Sequence, residues 1–168
     1  MRALVVTLGL VAAAACGGAK DKTGAKLELA DARLVITQAD GANHVLALAA
    51  NGAVTFDNEP VITLEKNGHI NVGSKRLARV ERDGSISATT VRTNAAVTPT
   101  GSFMLDGVEE LVIGPDGNVT GPLFETMEHP RFKIEGATMK YEGSPGARQA
   151  TMVGFAAFVT SLPAAVAQ

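Results

Sequence analysis

From Leu46 onward, apolar residues recur as i, i+2 pairs spaced by eight. The pairs are Leu46/Leu48, Val54/Phe56, Ile62/Leu64, Ile70/Val72, Ala78/Val80 and Ile86/Ala88. After a one-residue slip the beat resumes at Ala95/Val97, Phe103/Leu105, Leu111/Ile113 and Val119/Gly121. Mostly polar or small residues separate the members of each pair. This period-2 alternation describes short strands with one buried face.

The gaps between pairs carry turn chemistry. Asn51-Gly52, Asn67-Gly68, Asp83-Gly84, Thr100-Gly101 and Asp116-Gly117 mark alternate gaps. The intervening gaps hold Asn58-Glu59-Pro60, Gly73-Ser74-Lys75 and Asp106-Gly107. Paired residues in an antiparallel hairpin point to the same face. Pairing Leu64 with Ile70 therefore centres the turn on Asn67 and makes Lys66-Asn67-Gly68 the loop. A three-residue loop of this kind is a type I turn followed by a left-handed residue, where Gly68 belongs. Ala50-Asn51-Gly52, Arg82-Asp83-Gly84, Pro99-Thr100-Gly101 and Pro115-Asp116-Gly117 fit the same scheme.

The fold class expected is mainly β: an up-and-down antiparallel meander of about ten or more short strands. Such a meander must curl into a roll or barrel, or be covered, to hide its apolar face. Residues 87–96 absorb the slip as a bulge or longer loop. Leu27/Leu29 and Leu34/Ile36 add one or two strands before the beat, and 131–136 and 139–143 add two after it. The rival architecture is a β-solenoid with sixteen-residue coils, which would stack Val54, Ile70 and Ile86.

Ser144-Pro145 reads as an N-cap followed by Pro at the first helical position. A helix over 146–162, ended by Pro163, follows. Met152, Phe155, Ala156 and Val159 give helical spacing, and Val153, Ala157 and Phe158 widen the apolar face. Residues 150–167 carry no charge, but Gly154, Thr160, Ser161 and Pro163 argue against a membrane span. The expected role is to plug or cover the open face of the sheet.

Catalytic chemistry is sparse. His44, His69 and His129 match no metal spacing. His69 faces outward by alternation. The chain holds no G-x-S-x-G, Walker A, dinucleotide-binding or EF-hand motif. Asp57, Glu59 and Glu65 lie near one turn, and Asp106, Glu109 and Glu110 near another; turn acids are normally solvated. The run Lys75, Arg76, Arg79, Arg82 is interleaved with Glu81 and Asp83 and reads as an outward face. With 15 basic against 17 acidic residues and no Trp, nothing draws the chain to nucleic acid. No cofactor is expected.

The N-terminus carries a different kind of signal. Arg2 precedes an uncharged stretch, Ala3 to Ala15, that is shorter than the roughly 20 residues of a spanning helix. Ala13-Ala14-Ala15 then leads into Cys16, the one cysteine of the chain. This arrangement resembles the lipobox of bacterial lipoproteins, with Ala13 where that family usually has Leu. The resemblance implies a lipid on Cys16, cleavage just before it, and attachment to the membrane through the N-terminal lipid. Gly17 and Gly18 lack the Asp that retains many such proteins in the inner membrane, which implies the outer membrane. Ala13-Ala14-Ala15 also satisfies the rule for ordinary cleavage, which would give a secreted soluble protein.

The expected organisation is a signal peptide at 1–15, a lipidated N-terminus and tether at 16–26, a meander domain at 27–143, and a helix and tail at 144–168. The function expected is a non-enzymatic envelope lipoprotein acting as a structural or protein-interaction module, with an envelope protein as possible partner. The alternative is a carrier of a small apolar ligand or lipid inside a curled sheet.

Overall fold

The structure, a computed structural model, describes residues 24–88, 92–123, 131, 133 and 135–165. Cys16, the signal segment and most of the expected tether lie outside these residues.

The meander closes into an antiparallel barrel in which each strand pairs with the next and the last returns to the first. The strands are β1 (Ala32–Thr37), β2 (Asn43–Leu48), β3 (Ala53–Phe56), β4 (Glu59–Leu64), β5 (His69–Val72), β6 (Lys75–Val80), β7 (Ser85–Ala88), β8 (Arg92–Val97), β9 (Phe103–Leu105), β10 (Val108–Ile113), β11 (Asn118–Thr120) and β12 (Thr138–Glu142). Antiparallel neighbours throughout exclude the solenoid. Closure leaves no strand edge unpaired, the general answer to an exposed edge.

One end of the barrel, the floor, carries five three-residue turns of one design. In each, the glycine N–H donates to the carbonyl three residues back, as Gly68 does to Glu65 at 2.9 Å. The glycines adopt left-handed backbone, with φ of 88° at Gly52 and 89° at Gly68. The turns are those expected, Ala50-Asn51-Gly52 through Pro115-Asp116-Gly117.

The opposite end, the roof, is built differently. Asp57-Asn58 and Asp106-Gly107 are two-residue turns with positive φ at both positions, the primed geometry that matches strand twist. Asp57-Asn58 replaces the expected Asn58-Glu59-Pro60, and Glu59 and Pro60 belong to β4. A two-residue turn would set inward residues against outward ones. The strand after each two-residue roof turn corrects this with one extra residue. Val54 pairs with Ile62 but Thr55 with Pro60; Ile70 pairs with Ala78 but Asn71 with Arg76. Val61 and Leu77, sixteen apart, are the bulged residues. Between β9 and β10 the extra residue is Glu110. The slip in the beat falls at a register shift between β7 and β8.

Most of the paired apolar residues face inward and are buried, including Leu46, Leu48, Val54, Phe56, Leu64, Val80 and Leu111. Val72 is an exception. It sits at the roof rim beside Gly73-Ser74 and is 43% exposed.

Twelve strands enclose more room than eight, whose interior side chains alone can fill. A helix about 10 Å wide takes up that room. Ser144 caps a 3-10 turn at Pro145–Ala147, accepting from the Ala147 N–H at 3.3 Å, and α1 (Arg148–Ala165) continues from it. The helix passes two residues beyond Pro163, where it was expected to stop. Ala150 to Phe158 are nearly all buried, and α1 touches β1, β2 and β4 on one wall and β8 and β9 on another. A helix buried on every side over Ala150–Phe158 and touching separate walls is a plug, as the sequence led us to expect. Gly154 lets the helix lie against β3: a Cβ there would sit 3.3 Å from both methyls of Val54.

Of the one or two strands expected before the beat, one forms, β1, which carries Leu34 and Ile36. Leu27 and Leu29 lie in an extended strap along the floor. Ala25 N–H donates to Val80 O and Leu27 N–H to Lys66 O, both at 2.9 Å, and Ala50 N–H donates to Asp31 Oδ1 at 2.9 Å. The strap crosses successive floor turns, so it cannot run beside any one strand. It buries Ala25 and Leu27 and joins residues 24–26 to the barrel. The strand expected at 131–136 is not formed among its described residues. Among its described residues, Arg131 and Glu135–Gly136 lie in turns. β11 pairs directly with β12, leaving no place between them.

Candidate functional site

The polar cluster with the most connected geometry lies on the roof, above the helix end of the core. By alternation His44 shares the inward face of β2 with Leu46 and Leu48. Its ring stacks on Phe56 at 5.6 Å and 10°, and Phe56 stacks on Phe158 of the plug at 4.4 Å. The imidazole therefore closes an aromatic column rising from the helix.

The hydrogen bonds around His44 have a defined direction. Lys133 N–H donates to Gln38 Oε1 at 2.9 Å. This turns the Gln38 amide nitrogen toward His44 Nε2, 2.8 Å away. An amide can only donate there, so Nε2 accepts and Nδ1 carries the proton. Nδ1 then donates to Asp57 Oδ2 at 2.7 Å. Asp57 Oδ1 accepts from Val45 N–H at 2.8 Å, and Asp57 N–H donates to Val45 O. Arg131 pairs with Glu59 and lies 5.6 Å over the Phe56 ring.

Asp57 is held below its ordinary value near 3.8. Partial burial opposes ionisation. Hydrogen bonds from His44 and Val45, with the electrostatic pull of His44 and Arg131, outweigh it. A carboxyl lowered in the folded state stabilises the fold above its unfolded pKa, and that contribution is lost as pH falls through the folded value. Asn at position 57 tolerates the same left-handed turn. We therefore expect the wild type to lose more urea resistance than Asp57→Asn between pH 5 and pH 3. Equal losses in the two proteins would remove Asp57 from the acid response.

With both imidazole nitrogens engaged, the cluster reads as a clamp joining the end of β1, β2, the β3–β4 turn, Arg131 and Lys133. A general base would need one nitrogen turned toward a substrate.

The other expected groups are dispersed. His69 is outward on β5, near the floor, 3.2 Å from Glu65 through Nδ1. Glu65 also accepts from Asn71 at 2.8 Å, and these bonds hold its carboxyl below the usual range. Asp57 and Glu59 are on the roof, engaged with His44 and Arg131, and Glu65 is near the floor, away from both. Lys75, Arg76 and Arg82 are exposed as expected, while Arg79 is half-buried 3.9 Å from Glu81. His129 and Cys16 lie outside the described residues. Among the described residues no three His, Cys, Asp or Glu side chains converge on a metal position. An open groove of about 450 Å3 on the outer wall is lined by Arg33, Ala47, Ala53, Thr55 and Glu142. The Arg33–Glu142 ion pair at 2.5 Å spans its rim.

The His44–Asp57 contact was missed from sequence, although a signal for it exists. The register that sets Leu46 opposite Phe56 also brings Val45 and His44 to the Asp57-Asn58 turn.

No protein-family model, curated protein or solved structure matches this chain.

Proposed function

We propose that this chain is an envelope lipoprotein, anchored through a lipid on Cys16, whose plugged barrel serves as a structural or protein-interaction module at the outer membrane. The observation that carries the reading is the Ala13-Ala14-Ala15-Cys16 sequence after a short apolar stretch, with no second cysteine in the chain. Several acyl chains on one N-terminus give the firm attachment that a single chain does not.

The barrel wall fits this role. Outward positions carry Arg33, Lys140 and Glu142, and most of the apolar residues point inward. A lipid-facing barrel has the opposite arrangement. No helix among the described residues is long and apolar enough to cross a membrane. The plug occupies the space a carrier would reserve for its ligand, which favours an interaction module over the carrier reading.

The test is Cys16→Ser. We expect the variant to lose incorporation of labelled palmitate and to move from the membrane to the soluble fraction. Continued membrane partitioning without palmitate would overturn the anchor.

A further inference from the structure

We infer that the floor of the barrel faces the bilayer surface and that the roof points away from it. The inference rests on the anchored reading above and adds an orientation to it.

The strap supplies the geometry. Gly24 bridges Glu81 beside the floor turn of β6 and β7. From there the strap is tied to Val80, Lys66 and Ala50 before it enters β1. A Cβ at Gly24 would lie 2.7 Å from Arg79 Nε and 3.0 Å from Val80 O, so the chain is closely seated where it meets the wall. The exit point toward Cys16 is therefore on the floor.

Seven residues lie between Cys16 and Gly24, and the eight steps from one to the other reach at most about 28 Å even fully extended. The longest strands have six residues, which makes the wall about 20 Å tall. Inverting the barrel would require those residues to stretch up the whole wall, over about 20 Å of their roughly 28 Å reach. That arrangement carries the conformational-entropy cost of ordering every one of them. With the floor toward the lipid no such ordering is required. The roof, with the His44–Asp57 clamp, Arg131 and the exposed Lys75 and Arg76, is then the face open to a protein partner.

The chain contains no tryptophan, so a single introduced one is a unique probe. Lys66→Trp places it on the floor and Ser74→Trp on the roof, both at exposed positions. Arg82→Trp and Lys75→Trp form a second pair if either of the first misfolds. Each full-length variant is purified from membranes and reconstituted into phosphatidylcholine vesicles carrying a dansyl-labelled headgroup. Energy transfer falls steeply with distance, so with a wall of about 20 Å we expect at least about threefold more transfer from floor than from roof. Equal transfer, or more from the roof, would overturn the orientation.

A separate readout keeps the anchor distinct. If the protein takes up no palmitate and does not float with vesicles, the lipoprotein reading fails. A maleimide lipid coupled to the Cys16 thiol of the same chain then repeats the comparison, with the same two outcomes.

Discussion

Phe155→Ala is expected to lower folding stability by about 3–5 kcal/mol, read as a shift of the urea midpoint. Phe155 is fully buried at the middle of the plug. A barrel wall is tied strand to strand around its whole circumference. It cannot collapse inward onto a void without breaking ladder hydrogen bonds, so little of the cavity cost is recovered by relaxation. Against a typical total of about 5–15 kcal/mol, the loss is a large fraction of the fold's stability. Val108→Ala is the control. Val108 is 55% exposed, and its loss should stay within about 0.5 kcal/mol. A change below about 1.5 kcal/mol for Phe155→Ala would mean that the helix is loosely seated.

The second large effect is expected at the floor turns. Gly68→Ala should cost about 3 kcal/mol, combining left-handed strain with the damage to a hydrogen bond. A Cβ on Gly68 would lie 2.5 Å from Val80 O and 3.3 Å from Ala25 N. The same residue's carbonyl accepts from Val80 N–H at 2.8 Å. The substitution therefore disturbs the turn, the β5–β6 ladder and the strap together. Gly107→Ala provides the comparison. Gly107 has φ +79° but no atom within 4 Å of its Cβ position. It should lose only the conformational share, about 1–2 kcal/mol. Chemical denaturation of both variants decides the matter. Equal losses would mean that backbone strain accounts for everything and close approach for nothing.

The difference between these glycines shows how much of the fold could be read from residues alone. Both sit after an acidic or amide residue and both look like turn glycines. The five floor turns were legible because a three-residue loop has a fixed place for its left-handed residue and the apolar pairs set its register. The roof turns were harder. Asp57-Asn58 needs positive φ at two residues that are not glycine, and Val61, Leu77 and Glu110 restore the register as bulges. A one-residue insertion leaves no composition signature, so alternation alone could not locate it.

The clamp shows the same division. Asp57 and Glu65 looked like near neighbours because they are eight residues apart. One strand carries the chain from roof to floor over that interval, and the acids end at opposite ends of the barrel. His44 and Asp57 are thirteen apart and in contact, because a hairpin brings them back together.

Local chemistry is enough to determine the strand period, the floor turns, the helix start at Ser144-Pro145 and the direction in which apolar side chains point. Those features depend on residues within a few positions of one another. Closure into a barrel was decided only by the tertiary structure, since β1 meets β12 across more than a hundred residues. So were the bulges, the strap that carries Leu27 and Leu29, and the burial of α1 on all sides over Ala150–Phe158. Each depends on how much space twelve strands enclose and what must fill it, a quantity that no local pattern encodes.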